Sequence, residues 1–201
     1  MTTSPHYMLQ FGQLLTVFFI MLGPLRATGA FANSTTLLAS GEKKELAVKS
    51  GLFALLALVL AGFIGDFVMK SWGLKPATLL LTVGILFLIA AIRPIIRPAE
   101  PPVVKVDADP VAVAMKLLIS PHGLAAVVVL FALSHDRNRI LTIIGALAVI
   151  IVIDIVVLGY NKAQSENKSL ITQLLRTLLG TLQFALSIQI IHLSLKNLGV
   201  L

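Results

Sequence analysis

The chain has 201 residues, of which 57% are hydrophobic and 12% charged, and a formal net charge of +7. A soluble domain carries roughly 25% charged residues to wet its surface, so this composition excludes a water-facing exterior and predicts an integral membrane protein. The basic excess does not indicate a nucleic-acid partner, because Lys and Arg stand between hydrophobic runs, where they anchor membrane helices. The absence of cysteine excludes disulfides and thiolate metal sites.

Six apolar runs are long enough to cross a bilayer, which takes about 20 residues per helix. In lipid every backbone group must be satisfied within the segment, so each run is predicted to be helical. A signal peptide would require a positively charged segment before the first run, and none precedes it. That run is therefore expected to be a retained span. The predicted spans are Met8–Leu38, Leu46–Met69, Leu74–Ile96, Val111–Leu133, Ile140–Tyr160 and Leu170–Leu198.

The distribution of Lys and Arg among the loops predicts the orientation of these spans. The side with more of them faces the cytoplasm, which here leaves both termini outside it. Nine lie on the cytoplasmic side: Lys43, Lys44, Lys49, Arg93, Arg97, Lys105, Lys162, Lys168 and Arg176. Five lie on the other side: Lys70, Lys75, Arg137, Arg139 and Lys196.

A Pro-rich linker, residues 99–110, divides the chain into two halves of three spans each, residues 1–98 and 111–201. An odd number of spans per half places the halves in opposite orientations, as in transporters with inverted repeats. The first span of each half carries a proline near its centre, in LGPLRA at Leu22–Ala27 and in SPHGLA at Ser120–Ala125. The expected fold is therefore an all-α polytopic membrane protein with six transmembrane helices in two inverted three-helix repeats, helices 1 and 4 being broken near mid-membrane.

Each proline motif has a functional and a structural interpretation. Proline removes a backbone donor and breaks the helix, and the freed carbonyls survive in lipid only against protein or a water-lined cavity. A single break is typical of a packing kink, whereas paired breaks at equivalent depths indicate a binding site. The residues predicted to form that site are Gly23, Pro24, Arg26, Ser120, Pro121, His122 and Gly123.

At these motifs the chain resembles the MarC family of bacterial and archaeal inner-membrane proteins, which is related to the LysE exporter superfamily. The resemblance covers nearly the whole chain and includes Gly23-Pro24, the stretch Leu117–Leu133 and the last helix at Gly180–Leu198, where Gln189 matches a family glutamine. The family usually has Asn-Pro at the first break and often Gly-Pro-Gly at the second. The resemblance implies two inverted three-helix repeats in the inner membrane, and some archaeal relatives look like carriers of small neutral amino acids.

Ionisable residues inside spans are the remaining candidates for a site, because a charge in the membrane is costly and is functional by default. Asp154 lies six residues before Tyr160, and Arg176 lies at a matching depth in the next helix. The two are predicted either to form a static ion pair or to serve a proton or cation relay. Arg26 either binds a substrate carboxylate, or it snorkels or pairs with an acid elsewhere. His122 either takes part in a proton step or bonds a free carbonyl.

These features predict a secondary transporter of a small polar solute, such as a neutral amino acid. Coupling to protons and assembly into homo-oligomers are two further properties that the sequence leaves open. A non-transporting scaffold or accessory protein is the alternative. An enzyme is not expected, because no HExxH, GxSxG or paired catalytic acids occur. The four histidines show no ligand spacing, so neither a metal site nor a cofactor is predicted.

Overall fold

A computed structural model describes residues 10–96, 109–134, 136–160 and 168–201, except the side chains at positions 25, 26, 76, 93–96, 168–173, 175 and 176. Regular structure in these ranges is helical and includes no strand, which confirms the all-α prediction. The α-helices are α1 (Phe11–Leu22), α2 (Pro24–Ser34), α3 (Ser40–Ser71), α4 (Pro76–Ile96), α5 (Pro110–Val113), α6 (Pro121–Ala132), α7 (Arg137–Tyr160) and α8 (Lys168–Asn197), with a π-helical turn at Ala114–Leu118. Most of the predicted linker lies outside the described residues.

Three described helices are long and apolar enough to cross a membrane: α3, α7 and, over Thr177–Asn197, α8. Two bent helix pairs, α1 with α2 and α5 with α6, bring the number to five if each pair forms one span. The third predicted run, Leu74–Ile96, folds as α4, whose apolar part Ala77–Ile92 is shorter. By length and composition the chain is therefore a multi-pass membrane protein with three to five candidate spans.

The first break, at Gly23, separates α1 from α2 as the sequence predicts. Gly23 has φ −59° and ψ 165°, and α2 begins at Pro24, the position at which a missing N–H costs a helix least. The two helices are bent by 45°. A Cβ atom at Gly23 would overlap the Phe19 carbonyl group, so glycine is the residue that fits this close approach.

The second break, at Ile119 and Ser120, is sharper, with a bend of 81° between the segments on either side. The π-helical turn precedes it and is closed by a bond from the Ile119 amide to the Ala114 carbonyl, 2.8 Å long. Ile119 and Ser120 are extended, and α6 begins at Pro121. Both proline motifs thus start a half-helix after an interruption, rather than kinking a continuous helix.

Helices α3 and α7 pack side by side and run antiparallel. Gly51 of α3 faces Ile151 and Ile155 of α7, and a Cβ atom at Gly51 would overlap Ile155. At the end of the pair, the Lys44 ammonium lies 4.3 Å from the centroid of the Tyr160 ring, a cation–π contact. Small residues at such a crossing let two membrane helices approach closely.

Helices α4 and α8 form a second antiparallel pair. Gly84 of α4 packs against Ile190 and Ile191 of α8, and the buried Gln183 side chain donates a 3.2 Å hydrogen bond to the Phe87 carbonyl. Interhelical hydrogen bonds of this kind hold membrane helices in register. The pair is therefore joined by a polar side-chain contact between the two helices.

Helix α3 is the longest described helix and also contacts α6. The Phe63 ring of α3 stands edge-on to the Phe131 ring, with the centroids 5.1 Å apart. At its C-terminus α3 ends in the exposed Trp72 and turns at Gly73, whose φ is +64°. Its 32 residues extend about 48 Å at 1.5 Å per residue.

Candidate functional site

The two breaks, which the sequence predicts to lie at equivalent depths, are in direct contact. The Ser120 hydroxyl donates a 3.1 Å hydrogen bond to the Met21 carbonyl at the end of α1. The same oxygen accepts a 3.0 Å bond from the Gly123 amide in the first turn of α6. One buried serine therefore satisfies a carbonyl freed by the first break and an amide freed by the second.

Gly123 allows the two breaks to approach closely because it has no side chain. A Cβ atom at Gly123 would overlap the side chain of Leu22 and lie 2.8 Å from the Ser120 hydroxyl oxygen. Leu22 and Gly123 are both buried. The structure thus holds the two motifs together with no open space between them at this point.

The N-termini of the two half-helices differ in how they are capped. Ser120 caps α6 through the Gly123 amide, whereas Gly23 gives α2 no side-chain cap within the described residues. A helix N-terminus carries partial positive charge from its free amides and favours anions. Of the two N-termini, only that of α6 is thus capped by a side chain within the described residues.

For the other residues predicted at the breaks, the structure gives the position in the helix and fewer side-chain contacts. Pro24 and Pro121 are the first residues of α2 and α6. His122 is half-buried in the first turn of α6 and makes an interaction of its own. Arg26 lies in the first turn of α2, but its side chain is outside the described part of the structure, so the two interpretations of this residue stay open.

Asp154 is fully buried on α7, and neither carboxylate oxygen has a hydrogen-bond partner among the described residues. The predicted partner, Arg176, lies on α8, and its side chain falls outside the described part. The Asp154–Arg176 pair therefore stays a prediction. By contrast, Asp66 is paired with Lys70 at 2.8 Å, as its four-residue spacing suggests.

Gln189 lies on an exposed side of α8. Six residues earlier, Gln183 is buried and bonds to α4. The sequence predicts a role for Gln189 and none for Gln183. Gln183 faces α4 and Gln189 does not, a difference that appears only once α4 and α8 are paired.

Ser50 is a further residue that sequence reasoning missed. It is fully buried on α3, and its hydroxyl has no hydrogen-bond partner among the described residues. The available signal was the run of small residues on one face of α3, Ala47, Ser50, Gly51 and Ala54, a spacing typical of close helix packing.

A groove open to the outside of the bundle runs between α1 and α7. Its lining is apolar except for Thr16, whose hydroxyl bonds the Gly12 carbonyl of its own helix at 2.9 Å. Such a surface suits a lipid chain rather than a polar solute. The lining residues are Leu15, Thr16, Phe19, Val149, Ile150 and Ile153.

No group of three or more His, Asp or Glu side chains able to hold a metal ion occurs among the described residues. The chain matches no family model, no curated protein and no solved structure. The resemblance to the MarC family therefore stays an expectation that rests on the residues of the motifs.

Proposed function

We propose that the chain is a secondary transporter of a small polar solute, with six spans and a binding site between the two broken ones. The observation that carries the proposal is the Ser120 hydroxyl, which joins the end of one half-helix to the start of another. Discontinuous helices whose breaks converge supply polar backbone groups inside an apolar bundle. A polar solute needs such groups to replace its hydrogen bonds with water, whereas a bundle with a purely structural role does not need them.

The helix packing supports the proposed inverted repeat. Spans 2 and 5 (α3 and α7) are one antiparallel pair, and spans 3 and 6 (α4 and α8) are another. Spans 1 and 4 meet at their breaks. Each span therefore contacts its own counterpart in the other half, as expected when two halves of opposite orientation surround one pseudo-two-fold axis.

The capping difference between the half-helices favours a solute that carries a carboxylate. The N-terminus of α2 has no side-chain cap in the described part of the chain, so its amides are available to an anionic group. Arg26 follows Pro24 by two positions and adds a positive charge to that turn. A small neutral amino acid combines a carboxylate for this end with a size that suits a site between two helices.

The structure corresponds to a closed state of the proposed transporter. Ser120 and Gly123 hold the second break against Met21 and Leu22, with no room for a methyl group. Solute entry then requires the two halves to rock apart at this contact, as in alternating access. The proposed setting is the inner membrane of a bacterium or archaeon, with both termini outside the cytoplasm.

A reversible cross-link at this contact tests the proposal. The chain has no native cysteine, so Leu22→Cys combined with Gly123→Cys introduces the only thiols. The double variant is reconstituted into phosphatidylethanolamine–phosphatidylglycerol vesicles, and uptake of radiolabelled neutral amino acids is measured before oxidation, after it, and after reduction. We expect oxidation to abolish uptake and reduction to restore it.

The two single-cysteine variants are the controls, because each carries one of the substitutions and cannot form the cross-link. Uptake that continues with the disulfide formed would contradict a site that opens between the breaks. Absence of flux for every amino acid in the panel, with wild-type protein that melts cooperatively, would favour the scaffold alternative. Thermal-shift measurements with the same panel then separate a binding protein from one that binds none of them.

A further inference from the structure

Two buried polar side chains without partners lie in the interface of α3 and α7, away from the breaks. Asp154 and Ser50 each have a relative exposure of 0%. No described residue bonds the two carboxylate oxygens or the hydroxyl oxygen. Buried polar groups in proteins are nearly always hydrogen-bonded. Three oxygen atoms without a described partner in one interface therefore indicate a site that binds a ligand.

The register of the antiparallel pair places these two residues at the same level. Gly51 of α3 faces Ile151 and Ile155 of α7, whose midpoint lies next to Asp154. Towards the end of the pair, Lys44 faces Gly159 and Tyr160. Ser50 therefore stands across the interface from the turn that carries Asp154, on the same buried stripe as Gly51.

The charged groups nearest this level are exposed or lie towards the ends of the helices. On α3, Lys49 pairs with Glu45, both exposed, and Lys44 covers the Tyr160 ring. Helix α1 carries no charged residue, and Arg137 and Arg139 stand at the opposite end of α7.

Three basic residues on the remaining helices also bear on Asp154. Helix α6 offers His122, which has its own interaction. Arg26 of α2 and Arg176 of α8 have side chains outside the described part, so the experiment includes both.

An ionised carboxylate without a donor or counter-charge in such a place costs several kcal/mol. A metal cation would need more oxygen ligands than the described residues supply here, since hard cations take about six. One proton is sufficient. It removes the charge and turns Asp154 into a donor, and the Ser50 hydroxyl both donates and accepts. The two are not hydrogen-bonded to each other in the structure, so pairing them takes a rotation of the side chains.

We propose that Asp154 and Ser50 form a proton-binding site between α3 and α7, in which Asp154 carries the proton and the Ser50 side chain rotates to become its hydrogen-bond partner. The site joins spans 2 and 5, one from each half, so relative movement of the halves exposes it to water and allows the proton to leave. Its use as the coupling site rests on the proposed transport function. The proton site itself does not.

An apolar carbodiimide tests the site without any transport measurement, because it reacts with protonated carboxyl groups in apolar surroundings. Wild-type protein in phosphatidylethanolamine–phosphatidylglycerol vesicles is treated with dicyclohexylcarbodiimide over a range of pH, and the adduct is mapped by peptide mass spectrometry. We expect the adduct on Asp154, decreasing as the pH rises. Asp66→Asn is the matched control, because Asp66 is a half-buried carboxylate of α3 that is paired with Lys70; this variant should keep the adduct, whereas Asp154→Asn loses it.

Infrared difference spectra at low and high pH test the role of Ser50. The band lost in Asp154→Asn identifies the Asp154 carboxyl C=O stretch, and Ser50→Ala should shift this band to higher frequency because the hydrogen bond is lost. A band that does not move would remove Ser50 from the site. The wild-type adduct can be mapped whether or not either variant folds.

Three results would overturn the proposal. The first is absence of an adduct on Asp154 at every pH at which the protein stays folded. The second is an adduct that appears only in Arg176→Gln or Arg26→Gln, which would identify a static ion pair. The third is protection of Asp154 by Na⁺ but not by K⁺ at constant pH, which would make the site a sodium site. Labelling of Asp154 without any amino-acid flux would leave the proton site standing and contradict only the transport function.

Discussion

The Ser120 hydroxyl and the Met21 carbonyl are 99 positions apart in sequence and 3.1 Å apart in space. This single bond ties the last turn of α1 to the first turn of α6. Because Ser120 also caps α6, the interruption of one span is stabilised by the interruption of the other.

Ser120→Ala is expected to lower the free energy of unfolding by about 2 kcal/mol, because the α6 cap is lost, at about 1 kcal/mol, and the hydrogen bond to the Met21 carbonyl is lost, at about 1 kcal/mol. Unfolding in mixed micelles, monitored as the denaturing detergent fraction rises, measures the change. Ser134→Ala is the matched control, since that buried hydroxyl bonds only the Leu130 carbonyl of its own helix. An equal loss in both variants would contradict a special role of the inter-break bond.

Gly123→Ala is expected to destabilise the fold by about 1–3 kcal/mol, the usual cost of overpacking, because the new methyl group overlaps Leu22. Gly145→Ala in α7 provides the comparison, since a Cβ atom there meets nothing within 4 Å. That control should gain about 0.5–1 kcal/mol from the better helix former. Thermal melting in detergent gives both values, and a stable Gly123→Ala protein would show that the breaks are not in contact.

Gly51→Ala is expected to separate α3 from α7 and to destabilise the protein by about 1–3 kcal/mol. The methyl group enters the space of Ile155, and Ile155→Ala should restore part of the loss when combined with it. A double-mutant cycle on melting free energies measures this coupling. Additive effects of the two substitutions would argue against the antiparallel register.

Gln183→Ala and Gln189→Ala distinguish the two glutamines of α8. Loss of the Gln183 bond to the Phe87 carbonyl is expected to cost about 0.6 kcal/mol, the average for such bonds between membrane helices. Gln189 is exposed on the bundle surface, so its replacement should leave monomer stability unchanged. Unfolding titrations at low protein concentration check both, and a larger loss for Gln189→Ala would point to a contact between copies of the chain.

The helices and both breaks follow from the sequence because lipid permits few alternatives. An apolar run of about 20 residues has to satisfy its own backbone, which makes it helical, and Pro24 and Pro121 cannot donate to the preceding turn. The start of each half-helix is therefore fixed by residue type alone, and the structure confirms it at both places.

Helix pairing could not be predicted in the same way. In lipid every apolar face is equally satisfied, so hydrophobicity does not select neighbours. The selection comes from shape, as where Gly51 admits Ile155 and Gly84 admits Ile190 and Ile191. The sequence analysis identified Asp154 from its charge alone, whereas Ser50 became a candidate only when α3 was placed against α7.

The length of α3 has a consequence for the surrounding bilayer. Lys44 and Tyr160 mark one end and Trp72 marks the other, a separation of about 42 Å along the helix axis at 1.5 Å per residue. This equals the thickness of a bilayer with its headgroups, about 40–45 Å, and aromatic rings prefer that boundary. We therefore expect α3 to set the depth of the bundle in the bilayer, and the fluorescence of Trp72, the single tryptophan of the chain, to report on the headgroup layer on its side.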